Sequence, residues 1–253
     1  MDLGYDRRGC GQPLLLLHSL GTDRTVWAPV LDRLAERRDV IAVDVPGFGD
    51  SPPVAANGDA PTARVLAAAV ASFAAEIGVP KPHVAGNSLG GWVALQMALD
   101  GNARSVTAIA PAGLWPRPLP PNSEVARRLA RAAVPVLPLA LASEGARRLA
   151  LAGTRAHPER VPREDAVRLV RSYAAAPGYS EVNAAMRAGR FEGLERIRVP
   201  VTLAWPELDR LVGRPRVLPP KVRSVVLRDC GHVPMWDDPE QVAAVLLEGS
   251  AGA

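Results

Sequence analysis

The chain predicts an α/β fold, a mostly parallel, doubly wound sheet interrupted once by a helical insertion. Three observations carry that expectation. Short apolar runs alternate with helix-periodic stretches from Leu14 to Ala110, and the alternation resumes from Val199 to Leu247. The stretch Val84-Ala85-Gly86-Asn87-Ser88-Leu89-Gly90-Gly91-Trp92 reads as an apolar strand, a Gly-x-Ser-x-Gly turn and a helix. Between Leu114 and Arg198 strand patterns disappear, and arginine-studded helical stretches replace them.

In chain order, Leu14 to Leu17 is a continuous apolar run after Gly11 and Pro13, as expected of a strand buried on both faces. A loop, His18-Ser19-Leu20-Gly21, leads to a helix expected over Thr25–Arg37. Val26, Val30, Leu31 and Leu34 recur there at helical spacing, with Asp23 or Thr25 as cap. Val40 to Asp44 is the next strand, followed by the turn Pro46 to Pro52 and a polar loop, Pro53 to Asp59. The alanine-rich helix Thr62 to Ile77 is stopped by Gly78 and Pro80. After the strand into Ser88 comes a helix, Trp92 to Leu99, and a strand, Ser105 to Ala110, closed by Pro111.

Trp115 to Pro121 opens the insertion, with helices expected over Ser123–Ala133, Ser143–Leu151, Glu164–Tyr173 and Ser180–Ala188. Their apolar stripes need a partner surface, so residues 114–198 form an insertion on a core made of 1–113 and 199–253. Strands Val199–Trp205 and Val222–Leu227 follow. A last helix, Pro239–Leu247, has Asp237 and Asp238 near its start.

At 253 residues the chain is long enough for one large domain with an insertion. Its formal charge of +4 comes from scattered arginines interleaved with acids, without a basic run or a nucleic-acid-binding motif, so no nucleic-acid partner is expected. Cys10 and Cys230, far apart in sequence, read as reduced thiols of a cytoplasmic protein. Met1 to Arg8 lacks an apolar signal core, and the longest apolar stretch, Ala132 to Ala142, is broken by Pro135 and Pro138. Neither secretion nor a membrane span is expected. No metal-ligand spacing or phosphate loop is seen, so neither metal nor cofactor is expected, and the partner is a small-molecule substrate.

Chemistry concentrates at the strand ends. A strand turning directly into a helix strains its corner residue, and small residues at Gly86 and Gly90 let the two arms pass closely. The Ser88 hydroxyl then projects at the carboxyl end of the sheet, where a helix N-terminus presents free N–H groups. Serine needs a base to act as a nucleophile. Of four histidines, His83 lies inside a strand, His157 in the insertion as a surface residue, and His18 at a strand end, bracing a loop. His232, in Asp229-Cys230-Gly231-His232-Val233-Pro234 after the last strand, is the expected base. Glu207 and Asp209, after the preceding strand, are the acids placed to orient it. Asp229 and Asp237 are close to His232 in sequence, but adjacency in sequence is no advantage in a triad built from separate loops.

These features together resemble the α/β-hydrolase superfamily, whose triad runs nucleophile, acid, histidine along the chain. The resemblance covers nearly the whole chain, including the His18 loop, Asp44 to Ser51 and a lid-like insertion. It implies Ser88, Asp209 and His232 as catalytic residues, and an oxyanion hole from the backbone N–H groups of Leu20 and Leu89. Two positions depart from the family pattern: Ser19 stands where glycine usually follows the loop histidine, and Trp205-Pro206 replaces Trp-Gly. Ser19, Trp92, Leu114, Trp115 and Val233 are candidate substrate contacts. The implied activity is hydrolysis of a carboxylic ester, lactone or thioester. Asn87 and Trp236 also resemble hydrolases of carbon–carbon bonds in diketone-like compounds. A cofactor-free perhydrolase and a non-catalytic ligand receptor are the further alternatives.

Overall fold

The computed structural model describes residues 1–54, 60–120 and 124–251. The end of the polar loop through Asp59, Pro121 and the expected helix start at Ser123 lie outside the described residues.

Seven strands form one sheet: β1 Tyr5–Arg8, β2 Pro13–Leu17, β3 Asp39–Val43, β4 His83–Asn87, β5 Ser105–Ile109, β6 Val201–Pro206 and β7 Val222–Leu227. Their order is β1-β3-β2-β4-β5-β6-β7, parallel except for β1, which pairs antiparallel with β3. Leu14 pairs with Val40 and His83 with Ser105. The helices are α1 Ala28–Ala35, α2 Ala63–Glu76, α3 Leu89–Leu99, α4 Val125–Ala133, α5 Leu137–Ala140, α6 Glu144–Leu151, α7 Arg163–Ala175, α8 Tyr179–Ala188 and α9 Pro239–Gly249.

The pleat of the Leu14–Leu17 run divides the core. Leu15 and Leu17 point to one face, packed with Leu66, Val70 and Phe73 of α2 and Val93, Leu95 and Met97 of α3. Leu14 and Leu16 point to the other, with Val30 and Leu34 of α1 and Val242, Val245 and Leu246 of α9. A strand covered on both faces has no polar side, which is why it reads as a continuous apolar run.

Several boundaries differ from expectation. β1 carries no apolar pattern because all four residues are exposed on an edge strand, and charge there discourages pairing with another chain. The first helix opens as a 3-10 turn, Arg24–Trp27, capped by Asp23, whose carboxylate accepts the Thr25 N–H at 2.9 Å, and α1 ends at Ala35. The helix after the serine begins at Leu89 rather than Trp92, so its first turn includes Gly90 and Gly91. Pro135 and Pro138 do not abolish helix but restrict it to the short α5.

The helices between β5 and β6 pack on loops at the carboxyl ends of the strands. Gly178 N–H donates to the Gly47 carbonyl at 2.9 Å, Phe191 N–H to Gly113 at 2.9 Å, and Val233 N–H to Thr154 at 2.8 Å. Tyr173 and Tyr179, edge to face at 5.2 Å, close over Gly21, where a Cβ would meet the Tyr173 ring at 2.8 Å.

Candidate active site

Ser88 sits between β4 and α3 with φ 53° and ψ −112°, a conformation that a non-glycine residue holds only when its surroundings impose it. Those surroundings are backbone. Ser88 N–H donates to Ile109 at 2.9 Å, and its carbonyl accepts from Trp92 at 3.0 Å and Ala112 at 2.9 Å. Both flanking glycines are required, as expected: a Cβ on Gly86 would lie 2.1 Å from the Gly90 oxygen, and one on Gly90 would lie 2.2 Å from the Leu17 oxygen. Leu89 opens α3, so its N–H has no partner within the helix.

The His232 ring is buried, and its Nδ1 lies 2.8 Å from Asp209 Oδ2. The other oxygen of that carboxylate accepts the N–H groups of Leu211 at 2.7 Å and Val212 at 3.2 Å. With Nδ1 engaged, Nε2 is the ring nitrogen left for proton transfer. Glu207, the other acid candidate, turns to the Asp229 N–H at 3.0 Å. Asn87 links the serine turn to the histidine loop, its Nδ2 donating to the His232 carbonyl at 2.9 Å and to Ile109 at 3.2 Å.

Each of the other histidines is engaged by partners within the fold. His18 is fully buried, accepting the Val45 N–H on Nε2 at 2.9 Å and donating from Nδ1 to its neighbour's carbonyl, Ser19 O, at 2.9 Å. Burial lowers its pKa, although Asp44 opposes the shift. His83 donates from Nδ1 to Ser105 Oγ at 2.8 Å, and Ser105 donates on to the Gly249 carbonyl at 2.9 Å. Burial, helped by Arg38 and Arg104, takes the His83 pKa down to about 4. His157 is more enclosed than a surface residue. Its Nε2 lies 2.7 Å from Asp229 and its Nδ1 3.2 Å from Glu159. Burial depresses its pKa, but hydrogen bonds to these two acids outweigh that, and the net shift is upward.

Asp237 has a role that its position next to the last helix does not announce. It is 1% exposed, and it accepts three backbone N–H groups: Gly231 at 2.8 Å, Ala156 at 3.1 Å and His157 at 2.8 Å. It therefore ties the His232 loop to residues 155–157. Gly231 is required there because a Cβ would lie 2.6 Å from the Ala156 nitrogen. A buried acid beside a glycine-histidine turn is the only sequence signal for this clasp.

A cavity of about 470 Å³ opens beside His232, lined by Gly231, residues 152–156, Leu208 and Arg210 among others. None of Ser88, Ser19, Trp92, Leu114, Trp115 and Val233 lines it. Ser19 Oγ is 3.1 Å from Thr22 Oγ1, within the His18 loop. Trp92 packs edge to face on Trp115 at 5.8 Å, above Gly113, while the Trp115 indole N–H donates to Gly189 at 3.0 Å. Val233 and Trp92 are buried, whereas Leu114 and Trp115 are half-buried against the core.

Several known proteins are similar to this chain. An epoxide hydrolase of Mycobacterium tuberculosis is 35% identical over 200 residues, 73% of this chain and 93% of its own length. The dihydrolipoyllysine-residue acetyltransferase component of an acetoin cleaving system, from Cupriavidus necator, is 40% identical over 112 residues, 43% of this chain. The match spans only 29% of that relative's length. The crystal structure of a bacterial membrane phospholipase A superposes with a TM-score of 0.74 at 30% identity, covering 99% of this chain and 84% of that one. Residues 14–245 match the family model described as the alpha/beta hydrolase family. With that match over nearly the whole sheet, and with a seven-stranded, mostly parallel sheet bearing a strand-serine-helix turn at its centre, the chain belongs to the alpha/beta hydrolase family.

Proposed function

We propose that this protein is a serine hydrolase that cleaves a small-molecule carboxylic ester, lactone or thioester through an acyl-enzyme on Ser88. The observation that carries this reading is the Asp209–His232 pair, 2.8 Å apart, on loops at the same sheet edge as the strained Ser88 turn. In the proposed reaction, Ser88 Oγ attacks the acyl carbon as His232 Nε2 takes its proton. The imidazolium, held by Asp209 at Nδ1, then protonates the leaving group. Water, deprotonated by the same nitrogen, releases the acyl group. The N–H groups of Leu89 and Leu20 receive the oxyanion, and losing such a donor typically costs about 3 kcal/mol of transition-state binding.

The same chemistry separates this reading from the activity of the epoxide hydrolase relative. A carboxylate that opens an epoxide forms an ester, which water can cleave. A serine that opens one forms an ether, which this machinery cannot release. The carbon–carbon reading rests on Asn87 and Trp236, which also make contacts inside the fold: Asn87 donates to two carbonyls, and Trp236 lies under Arg155 at 5.4 Å. We further propose that residues 114–198 act as a cap on a core of 1–113 and 199–253. Their contacts to Gly21, Gly47, Gly113 and Val233 support this. Among the described residues no helix is long and apolar enough to cross a membrane. Two free cysteines fit a cytoplasmic setting.

A fluorophosphonate probe tests the reading. Mass spectrometry is expected to find the adduct on Ser88 alone, together with hydrolysis of short-chain p-nitrophenyl esters. An adduct on Ser19 or Ser51, or a kcat/KM more than about tenfold higher for a vinylogous diketone acid, a margin of 1.4 kcal/mol, overturns it.

A further inference from the structure

Arg155 lies in the loop after α6, 6% exposed, and lines the cavity beside His232. Its Nη1 donates to Thr154 Oγ1 at 2.9 Å, while Nε and Nη2, shut off from solvent, donate to no atom of the described protein. The guanidinium lies over the Trp236 ring at 5.4 Å. Asp237, whose charge acts on Arg155, is engaged by three backbone N–H groups rather than by Arg155. Burial pulls the Arg155 pKa down to about 10, with Asp237 opposing, so the charge is retained at neutral pH and held at a cost.

The two unpartnered nitrogens share one edge of the guanidinium, and elsewhere in this molecule the same edge holds a carboxylate. Arg7 Nε and Nη2 meet the two oxygens of Asp39 at 2.9 and 2.6 Å. Around the cavity, Arg148, Arg155 and Arg210 face a single acid, Glu159, whose carboxylate already meets His157 and Arg148. An apolar ester gains nothing from such a wall. A carboxylate gains a fork of two donors matched to its two oxygens.

We propose that Arg155 is a specificity residue that receives a carboxylate carried by the substrate, so that the preferred substrates are esters or thioesters of which one end is a free acid. Receiving the carboxylate requires the guanidinium to turn its Nε–Nη2 edge toward the cavity that the residue lines, at the cost of the single bond to Thr154. This proposal rests on the serine hydrolase reading for what happens to the ester, but the recognition it assigns is measured without turnover.

The experiment uses Ser88→Ala protein and isothermal titration calorimetry. The probes are monomethyl succinate, glutarate and adipate, each against its neutral dimethyl ester. 3-Acetoxypropanoate against its methyl ester places the acid on the alcohol side instead. At least one monoanion is expected to bind tenfold or more tightly than its neutral partner, and the successful pair identifies which half of the ester bears the acid. In Ser88→Ala/Arg155→Met that ratio is expected to fall within about twofold of one. Arg155→Lys, which keeps the charge without the fork, is expected to fall between, and it serves as the test if the methionine variant does not fold. Equal binding of every acid and its neutral partner, or a preference that survives loss of Arg155, overturns the proposal. Absence of a fluorophosphonate adduct on Ser88 in the unaltered protein overturns only the hydrolase reading.

Discussion

Asp209 and Glu207 stand two residues apart on the loop after β6 and hold different partners, so they offer a direct comparison. Asp209→Asn presents His232 with an amide in place of an acceptor, favouring the wrong imidazole tautomer. Turnover of a short ester is expected to fall by about 10²–10⁴ with the melting temperature little changed. Glu207→Gln still offers an oxygen to the Asp229 N–H and is expected to leave turnover within about twofold. Steady-state kinetics on the two variants check both statements. A second residue contributes to the response to acid. The His83 pKa, about 4 in the fold, lies below its ordinary 6.5. Between those values the unfolded chain binds a proton that the native one does not, so stability is lost as pH falls from about 6.5 towards 4. His83→Gln is expected to make that decline shallower, as read from urea midpoints at pH 7, 6, 5 and 4.5, with the buried His18 acting in the same sense and His157, whose pKa is raised, in the opposite one.

Among elements, α3 and α6 show how the same residue type works in opposite senses. Gly90 is in the first turn of α3 against the Leu17 and His18 carbonyls, and Gly145 is in α6 with only Ser143 Oγ, at 3.7 Å, near its absent Cβ. Glycine to alanine in a helix ordinarily stabilises by up to about 1 kcal/mol. Gly145→Ala is expected to do so, whereas Gly90→Ala is expected to destabilise by about 1–3 kcal/mol or more through overpacking, as denaturant titration would show. The elements were largely legible from residue pattern. β7 falls on Val222–Leu227 as expected, and α9 begins at Pro239 as expected. The turns that carry Ser88 and His232 were legible because each follows a strand and bears a glycine. The Asp237 clasp and the Arg155 edge were not, because each depends on a fold-dependent meeting: Asp237 joins residues about eighty positions apart, and Arg155 differs from neighbouring arginines only in its burial. The exposed β1 was illegible for a different reason, since an edge strand held by backbone bonds needs no side-chain pattern.

For the whole molecule, the two thiols report folding from opposite locations. Cys10 is exposed near the N-terminus, and Cys230 is fully buried two residues before His232, where burial raises its pKa to about 12. With a disulfide reagent at pH 8, one thiol per chain is expected to react within the mixing time. The second is expected to follow at the rate of opening, accelerating as denaturant is added. Two fast thiols would mean that the histidine loop opens independently of the sheet.

Residues 114–198 are moored on two sides. On one, Gly178 lies back to back with Gly47, whose Cα is 2.9 Å from where a Gly178 Cβ would be, and Ser172 donates to Asp23. On the other, Asp237 and the Thr154 carbonyl secure residues 154–157 to the histidine loop. On the proposed cap reading, a roof with a pier at each side does not lift like a door, and traffic to Ser88 would pass through the gaps between its beams, whose width, more than the tempo of any opening, would sort which molecules are admitted.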